Sequence, residues 1–293
     1  MEHQLWKAIL AALATINKRL KRTTEDYSDE DIVKTWLWAV LHDRPVSWAC
    51  DRRNWPIYER RRKRPSQSVM SRRLRTLSVR RLLEELEERV LRPHGVGALV
   101  WAIDGKPLVI SGCSKDRQAG YGRAAGGKAK GYKLHALVSL DGTVAAWRVA
   151  PMNKDEREMA RRILRDTKVQ GYVLADSNYD SNPLHELCGL RGELQLVAPP
   201  RYGFCRGRGH RRQSKGRLRS IAMLSNPQSC FGRELHEQRD AIERFYGHLT
   251  NGAGGLAALP AWARTHRRVH RWVQAKLILK ALRQQSGIKT YVA

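Results

Sequence analysis

Asp104 and Asp176 each close a short apolar run, residues 98–103 and 172–175, and Glu243 follows Arg239 by four positions in a stretch of helical periodicity. All three sit in a chain of formal net charge +27, with 55 Lys and Arg against 28 Asp and Glu. A carboxylate beside a phosphate is repulsive unless a divalent cation lies between them. Acidic residues placed at strand ends of so basic a chain therefore point to metal-assisted phosphoryl transfer on a polyanion, with DNA as the polyanion. Each residue also has a plainer reading. Asp104-Gly105 is a common turn pair, and an exposed Arg239 to Glu243 pair contributes only about 0.3 to 0.5 kcal/mol. Their joint placement favours the chemistry.

The elements that must position these residues fall into two regions. Residues 1–92 read as helical throughout, starting with the periodic Leu5, Ile9, Leu10 and Leu13. Ser28 caps a second helix with Asp29, Glu30 and Asp31 in its first turn and Ile32, Val33, Trp36, Leu37, Val40 and Leu41 as its stripe, and Pro45 ends it. The run Arg60 to Arg64 precedes Pro65, and Ser66 caps a further helix. There Met70, Leu74 and Leu77 are expected inward, with Gln67, Ser71, Arg72 and Arg75 outward as a recognition helix presents them to a DNA groove. A helix over 78–92 is scaffold, and Pro93 to Gly97 is a linker.

From residue 98 the pattern turns to strands. Residues 98–103 and 107–111 are expected to pair as a hairpin around Asp104-Gly105-Lys106-Pro107, and the Gly-rich basic stretch 120–131 to be a mobile loop. A second hairpin turns at Asp141-Gly142, a helix follows over 155–166, and strand 172–175 delivers Asp176 to its C-terminal end. A helix over 183–190, capped by Asp180, and a strand over 194–198 come next. Residues 201–235 form a basic loop, with Arg206, Arg208, Arg211 and Arg212 expected to lie on DNA. His135 reads as a packed core histidine, and the apolar C-terminal stretch from Trp262 as a helix covering the sheet.

Composition bounds the rest. A chain of 293 residues with 42% apolar content holds a globular core plus a smaller module. The charge excess suits nucleic acid, and no apolar stretch is long enough to span a membrane, so an intracellular, cytoplasmic and nucleoid-associated protein is expected. Five scattered cysteines without a C-x-x-C pair argue against disulfides or structural zinc and are expected to be reduced and mostly buried.

Over roughly 98–285 the chain resembles the DDE transposases of bacterial insertion sequences. Ile103-Asp104-Gly105 looks like the family's first Asp; Asp176-Ser-Asn-Tyr-Asp180-Ser181 is similar to D-x-x-Y-D-S; Arg239-x-x-x-Glu243-Arg-Phe-Tyr246 resembles R-x-x-x-E-R-F. Gly127-Lys128 with Gly131 to His135 looks like the G-G-x-x-x-K-x-H lead-in. In the fuller signature a Tyr and a Lys stand where this chain has His236 and Thr250. The resemblance implies an α/β, RNase H-like catalytic core at 98–285 behind a helix-turn-helix-like DNA-binding module at 1–92. It implies two Mg²⁺ ions, with Mn²⁺ as the alternative, held by Asp104, Asp176 and Glu243. Arg239 becomes a phosphate clamp, and Arg61, Arg62, Lys63, Arg72 and Arg75 join the basic segment as DNA contacts. The partners implied are the double-stranded element ends, target DNA and a second copy of the chain. An inactive or domesticated DNA-binding protein and an RNase H-like nuclease or resolvase are the alternatives.

Overall fold

In the computed structural model, residues 2–17, 26–91, 97–110, 114–190, 192–201, 213–251, 256 and 259–287 are described. The chain divides into two compact units: residues 1–93, 248–263 and 271–293 form one, and residues 94–247 and 264–270 the other.

The first unit is helical: α1 Glu2–Asn17, α2 Asp29–Leu41, α3 Val46–Ala49, α4 Gln67–Arg73 and α5 Leu77–Leu91. Ser28 starts α2 with a capping box, its side chain accepting from the Asp31 N–H while the Asp31 carboxylate accepts from the Ser28 N–H. Ser28→Ala is expected to cost about 1 kcal/mol, read as a lowered melting temperature, because the Asp31 N–H of the first turn loses its side-chain acceptor. The core is built around indoles: Trp6 meets Trp38 edge-on at 4.9 Å, and Trp38 stacks on Trp55 at 4.9 Å.

Two expectations fail in this unit. The helix begun at Ser66 stops at Arg73, so Leu77 opens α5 and is 55% exposed rather than inward. The C-terminal helix α11, His266–Gln285, belongs from Arg271 onward to this unit instead of covering the sheet. Arg271 donates to Leu74 O (2.9 Å), Gln274 to the Glu87 carboxylate (2.7 Å), Gln285 to Val90 O (2.8 Å), and buried Lys276 to Val40 O (3.0 Å) and Asp43. The compact units thus depart from a 1–92 and 98–285 split, because these hydrogen bonds join segments some 200 residues apart in sequence.

The second unit is a six-stranded mixed sheet: β1 Val100–Val109, β2 Gly120–Ala124, β3 Gly127–Ser139, β4 Val144–Pro151, β5 Gly171–Leu174 and β6 Leu194–Val197. The order is β2-β3-β1-β5-β6, with β4 also on β3; β3 is antiparallel to β1, β2 and β4, while β1, β5 and β6 run parallel. This order and these directions are consistent with an RNase H-like core. The end of β5 and the whole of β6 are buried, because parallel strands in such a sheet are covered on both faces. Helix α6 (Glu156–Asp166) packs on β3 and β4, and α7 (Asn182–Leu190) and α8 (Lys215–Ser225) on β6. Gly171 enters β5 at φ +90° so close to β1 that a Cβ would lie 2.0 Å from Leu99 O. The unit continues through α9, Phe231–Glu237, into α10, Asp240–Asn251.

Three expectations are corrected here. Asp104-Gly105 is not a turn: β1 runs unbroken through it, with Asp104 opposite Ala136 and Gly105 opposite His135. A continuous partner strand satisfies the backbone that a turn would have folded back on itself. The Gly-rich stretch 120–131 is a hairpin of β2 and the start of β3, turned by Gly127 at φ +105°. The expected loop over 201–235 contains α8, capped by Ser214, and α9. The hairpin at Gly142, the helix α6, and strands β5 and β6 appear as expected, with Asp155 as the N-cap of α6 and not within its first turn. Of the three cysteines among the described residues, none forms a disulfide and only Cys188 is buried; Cys230 is exposed, against the expectation of mostly buried thiols.

Candidate active site

β1 and β5 are neighbours in parallel register, with Ala102 opposite Leu174. Asp104 lies two residues further along β1, and Asp176 lies two residues beyond Leu174, just past the end of β5, so both stand beyond the same end of the β1–β5 pairing. Asp176 also caps the 3₁₀ turn Ser177–Tyr179, accepting from the Asn178 N–H (2.8 Å) and Nδ2 (3.1 Å). Asp104 accepts from the Gly105 N–H at 2.7 Å. Gly105 is closely packed: a Cβ there would lie 2.7 Å from Lys133 Cδ and 3.1 Å from His135 Nδ1, so those side chains would have to shift.

Burial above all, with the charges of Asp176 and Glu156 adding to it and the Gly105 N–H and Arg239 opposing it, pushes the Asp104 carboxyl up to about 6. A carboxylate pair of this kind lacks positive charge, and its hard oxygen donors suit Mg²⁺ or Mn²⁺. Glu156, in the first turn of α6, is an acidic neighbour that sequence reasoning missed. It forms an ion pair with Lys133 of β3. Its only sequence signal is an Asp155-Glu156 helix start after the third antiparallel strand.

Helix α10 is fastened to the same place by Tyr246, whose buried hydroxyl donates to Asp104 O (2.8 Å) and Leu134 O (3.2 Å). Glu243, one turn earlier, has a side chain 60% exposed and accepts from Arg239 Nη2 at 2.8 Å. The structure therefore brings Asp104 and Asp176 together and leaves Glu243 in an ion pair with Arg239. Among the described residues no three His, Cys, Asp or Glu side chains converge tightly enough to hold a metal. His236, on α9, donates from Nε2 to Ala175 O (3.0 Å), bracing the backbone just before Asp176.

The Transposase DDE domain family matches residues 97–279, which include Asp104, Asp176, Arg239 and Glu243. The chain belongs to the DDE transposase family. No curated protein matched it. Transposase activity on DNA follows from that membership, and the family generally uses divalent metal ions. Among the described residues of the transposase, no helix is long and apolar enough to cross a membrane.

Of the other residues singled out, His135 is buried with no hydrogen-bond partner for its ring, and burial, with Lys133 nearby, lowers its pKa to about 3, as befits a neutral packed histidine. Asp180 does not cap α7: its carboxylate accepts from Arg217 Nε (2.7 Å) and Nη2 (2.8 Å) and from the Arg201 N–H (3.1 Å). Arg61, Arg62, Lys63, Arg72 and Arg75 are exposed. Arg206, Arg208, Arg211 and Arg212 lie outside the described residues.

Proposed function

We propose that the chain cleaves DNA at the ends of an insertion sequence and joins those ends to target DNA, in a metal-dependent reaction centred on Asp104 and Asp176. The observation that carries this reading is the placement of these two carboxylates, one within β1 and one just past the end of the neighbouring parallel strand β5 of the matched domain, with Asp176 close enough to disfavour the charge of Asp104. Asp104 and Asp176 would hold the divalent ions, with Glu243 completing the set. Bound there, such ions supply positive charge at the phosphate and make a water or a DNA 3′-OH acidic enough to attack.

The chain's own residues do the positioning. Tyr246 holds α10 in register with β1 at Asp104, and His236 holds the strand end that carries Asp176. Arg239 offers a guanidinium that grips a phosphate through two parallel hydrogen bonds, and its pair with Glu243 keeps it at the site. The helical first unit, with exposed Arg61, Arg62, Lys63, Arg72 and Arg75, reads the element ends, and the basic segment 201–214 contributes backbone contacts. Two ends held at once call for two copies of the chain.

The test is Mg²⁺-dependent nicking and joining on duplexes carrying the element's own ends. Wild type is expected to do both. Glu243→Gln is expected to lower joining on the order of a hundredfold or more with binding retained, because charge is lost only where the reaction develops it. Joining unchanged by Glu243→Gln removes this residue from the site, and nicking without joining turns the reading to a nuclease.

A further inference from the structure

The outer members of the basic run Arg60 to Arg64 are tied to the fold, Arg64 by burial and an ion pair and Arg60, still exposed, by backbone carbonyls. Arg64 lies over the Trp55 ring, 3.5 Å from its centre, and donates from Nη2 to the Glu59 carboxylate and carbonyl, both at 2.9 Å. Arg60 donates from Nε to Trp55 O (2.9 Å) and from Nη2 to Arg53 O (3.2 Å). Trp55 is itself buried, its indole N–H donating to Ala49 O at 2.7 Å. The intervening backbone closes into a 3₁₀ turn, Ile57–Glu59, with the Glu59 N–H on Pro56 O at 2.8 Å.

A segment anchored at both ends in this way is rigid, and it points a distinct set of side chains at solvent. Arg61, Arg62 and Lys63 are exposed, and beside them Ile57 is 80% and Tyr58 55% exposed. Tyr58 is steadied by a hydrogen bond between its hydroxyl and His3 Nδ1 at 2.9 Å. The one acid within the turn, Glu59, is buried and paired with Arg64, with Arg62 Nε 3.6 Å away; the other acid whose charge reaches Tyr58 is Glu2. A large apolar side chain held out into water in the same short turn as exposed cations matches duplex DNA, whose phosphates flank an apolar base stack.

We propose that the turn 57–63 is a DNA-docking wedge: Arg61, Arg62 and Lys63 hold backbone phosphates while Ile57 enters a base step and partly unstacks it. This rests on the reading of the first unit as the DNA-binding one, and it adds an apolar insertion that the exposed arginines of α4 do not supply. Apolar side chains inserted at a step kink the duplex and let more protein surface meet it. The wedge therefore reads deformability, which favours flexible pyrimidine–purine steps.

The test uses the full chain and duplexes of the element's ends with 2-aminopurine placed at successive positions. Wild type is expected to raise the fluorescence at one step on binding. Ile57→Ala is expected to abolish that rise and weaken binding roughly three- to tenfold while leaving the salt dependence of binding and the melting temperature unchanged, since so exposed a side chain carries little of the fold. The triple change Arg61→Gln, Arg62→Gln, Lys63→Gln is expected to reduce the slope of log affinity against log salt by about two to three, at about 0.9 for each phosphate no longer neutralised, with the fluorescence rise kept at saturating protein in low salt. Binding without any rise, or a rise that Ile57→Ala leaves intact, overturns the wedge while sparing the DNA-binding unit; absence of binding to these duplexes overturns both.

Discussion

Asp176→Asn is expected to abolish end joining, by on the order of a thousandfold or more, while DNA binding measured without divalent metal stays at or above the wild-type level. The like-charge pair is the cause. Asp104 in β1 and Asp176 just past the end of β5 are brought together by the pairing of these strands, and burial with Asp176 beside it lifts Asp104 to about 6. Removing one charge from the pair relieves that repulsion and takes a negative group away from incoming phosphates, so binding loses nothing. It also removes one of the three carboxylates proposed to hold a divalent ion, whose electrostatic contribution to phosphoryl transfer is several kcal/mol, and each step of about 1.4 kcal/mol is tenfold in rate. A readout independent of activity is thermal melting with and without Mn²⁺. Wild type is expected to be stabilised by the ion through mass action, and Asp176→Asn and Asp104→Asn are not. Equal stabilisation of all three by Mn²⁺ would take the ion away from these residues.

The second large effect concerns stability. Asp180→Asn is expected to destabilise the second unit by about 3 to 5 kcal/mol, and so is Arg217→Met, while the double variant costs clearly less than their sum. Asp180 has a side chain only 4% exposed, takes both Nε and Nη2 of Arg217, and has His185 Nε2 3.4 Å away. Breaking a buried ion pair from one side leaves the other charge in a poorly solvated site, which costs more than the pair contributes. Removing both partners lifts that penalty, so the cycle is expected to show a coupling of about 1 to 3 kcal/mol. The exposed pair of Arg161 and Glu158 on α6 is the control, and Arg161→Gln is expected to stay within about 0.5 kcal/mol of wild type.

The same residue sets an acid limb. Burial alone would raise the Asp180 carboxyl, but hydrogen bonds from His185, Arg217 and the Arg201 N–H outweigh it and hold the group well below the usual carboxylate range. A depressed acid binds fewer protons folded than unfolded, so its stabilisation is present above about pH 4 and is lost as the pH falls from there. Denaturant unfolding at a series of pH values should show that component in wild type and its absence in Asp180→Asn. Parallel acid limbs for the two proteins would mean that the pair contributes nothing.

Much of the site is legible as residues and little of it as geometry. The family resemblance rests on local strings, and the family match covers the residues that carry them. The turn reading of Asp104-Gly105 fails because Asp-Gly is a strong local turn signal, and only a partner strand running from Gly131 to Ser139 overrides it. Glu156 escapes notice because nothing in its own neighbourhood distinguishes a helix-start acid from one beside Asp104. Asp180 resembles a cap because its partner, Arg217, is 37 residues away.

What the sequence determined by itself is what short range decides. The Ser28 cap, the helix start at Asp155, the Gly142 turn and the four-residue spacing of Arg239 and Glu243 are all fixed within one or two turns of chain, where a side chain's reach is set by its neighbours. What only the tertiary structure decided is which charges remain available. Arg64 is withdrawn by Trp55 and Glu59, Asp180 by Arg217, and Lys133 by Glu156, whereas Ile57 stays in water. Charge and apolarity are properties of residues, but exposure and pairing depend on partners that the fold brings in from elsewhere in the chain.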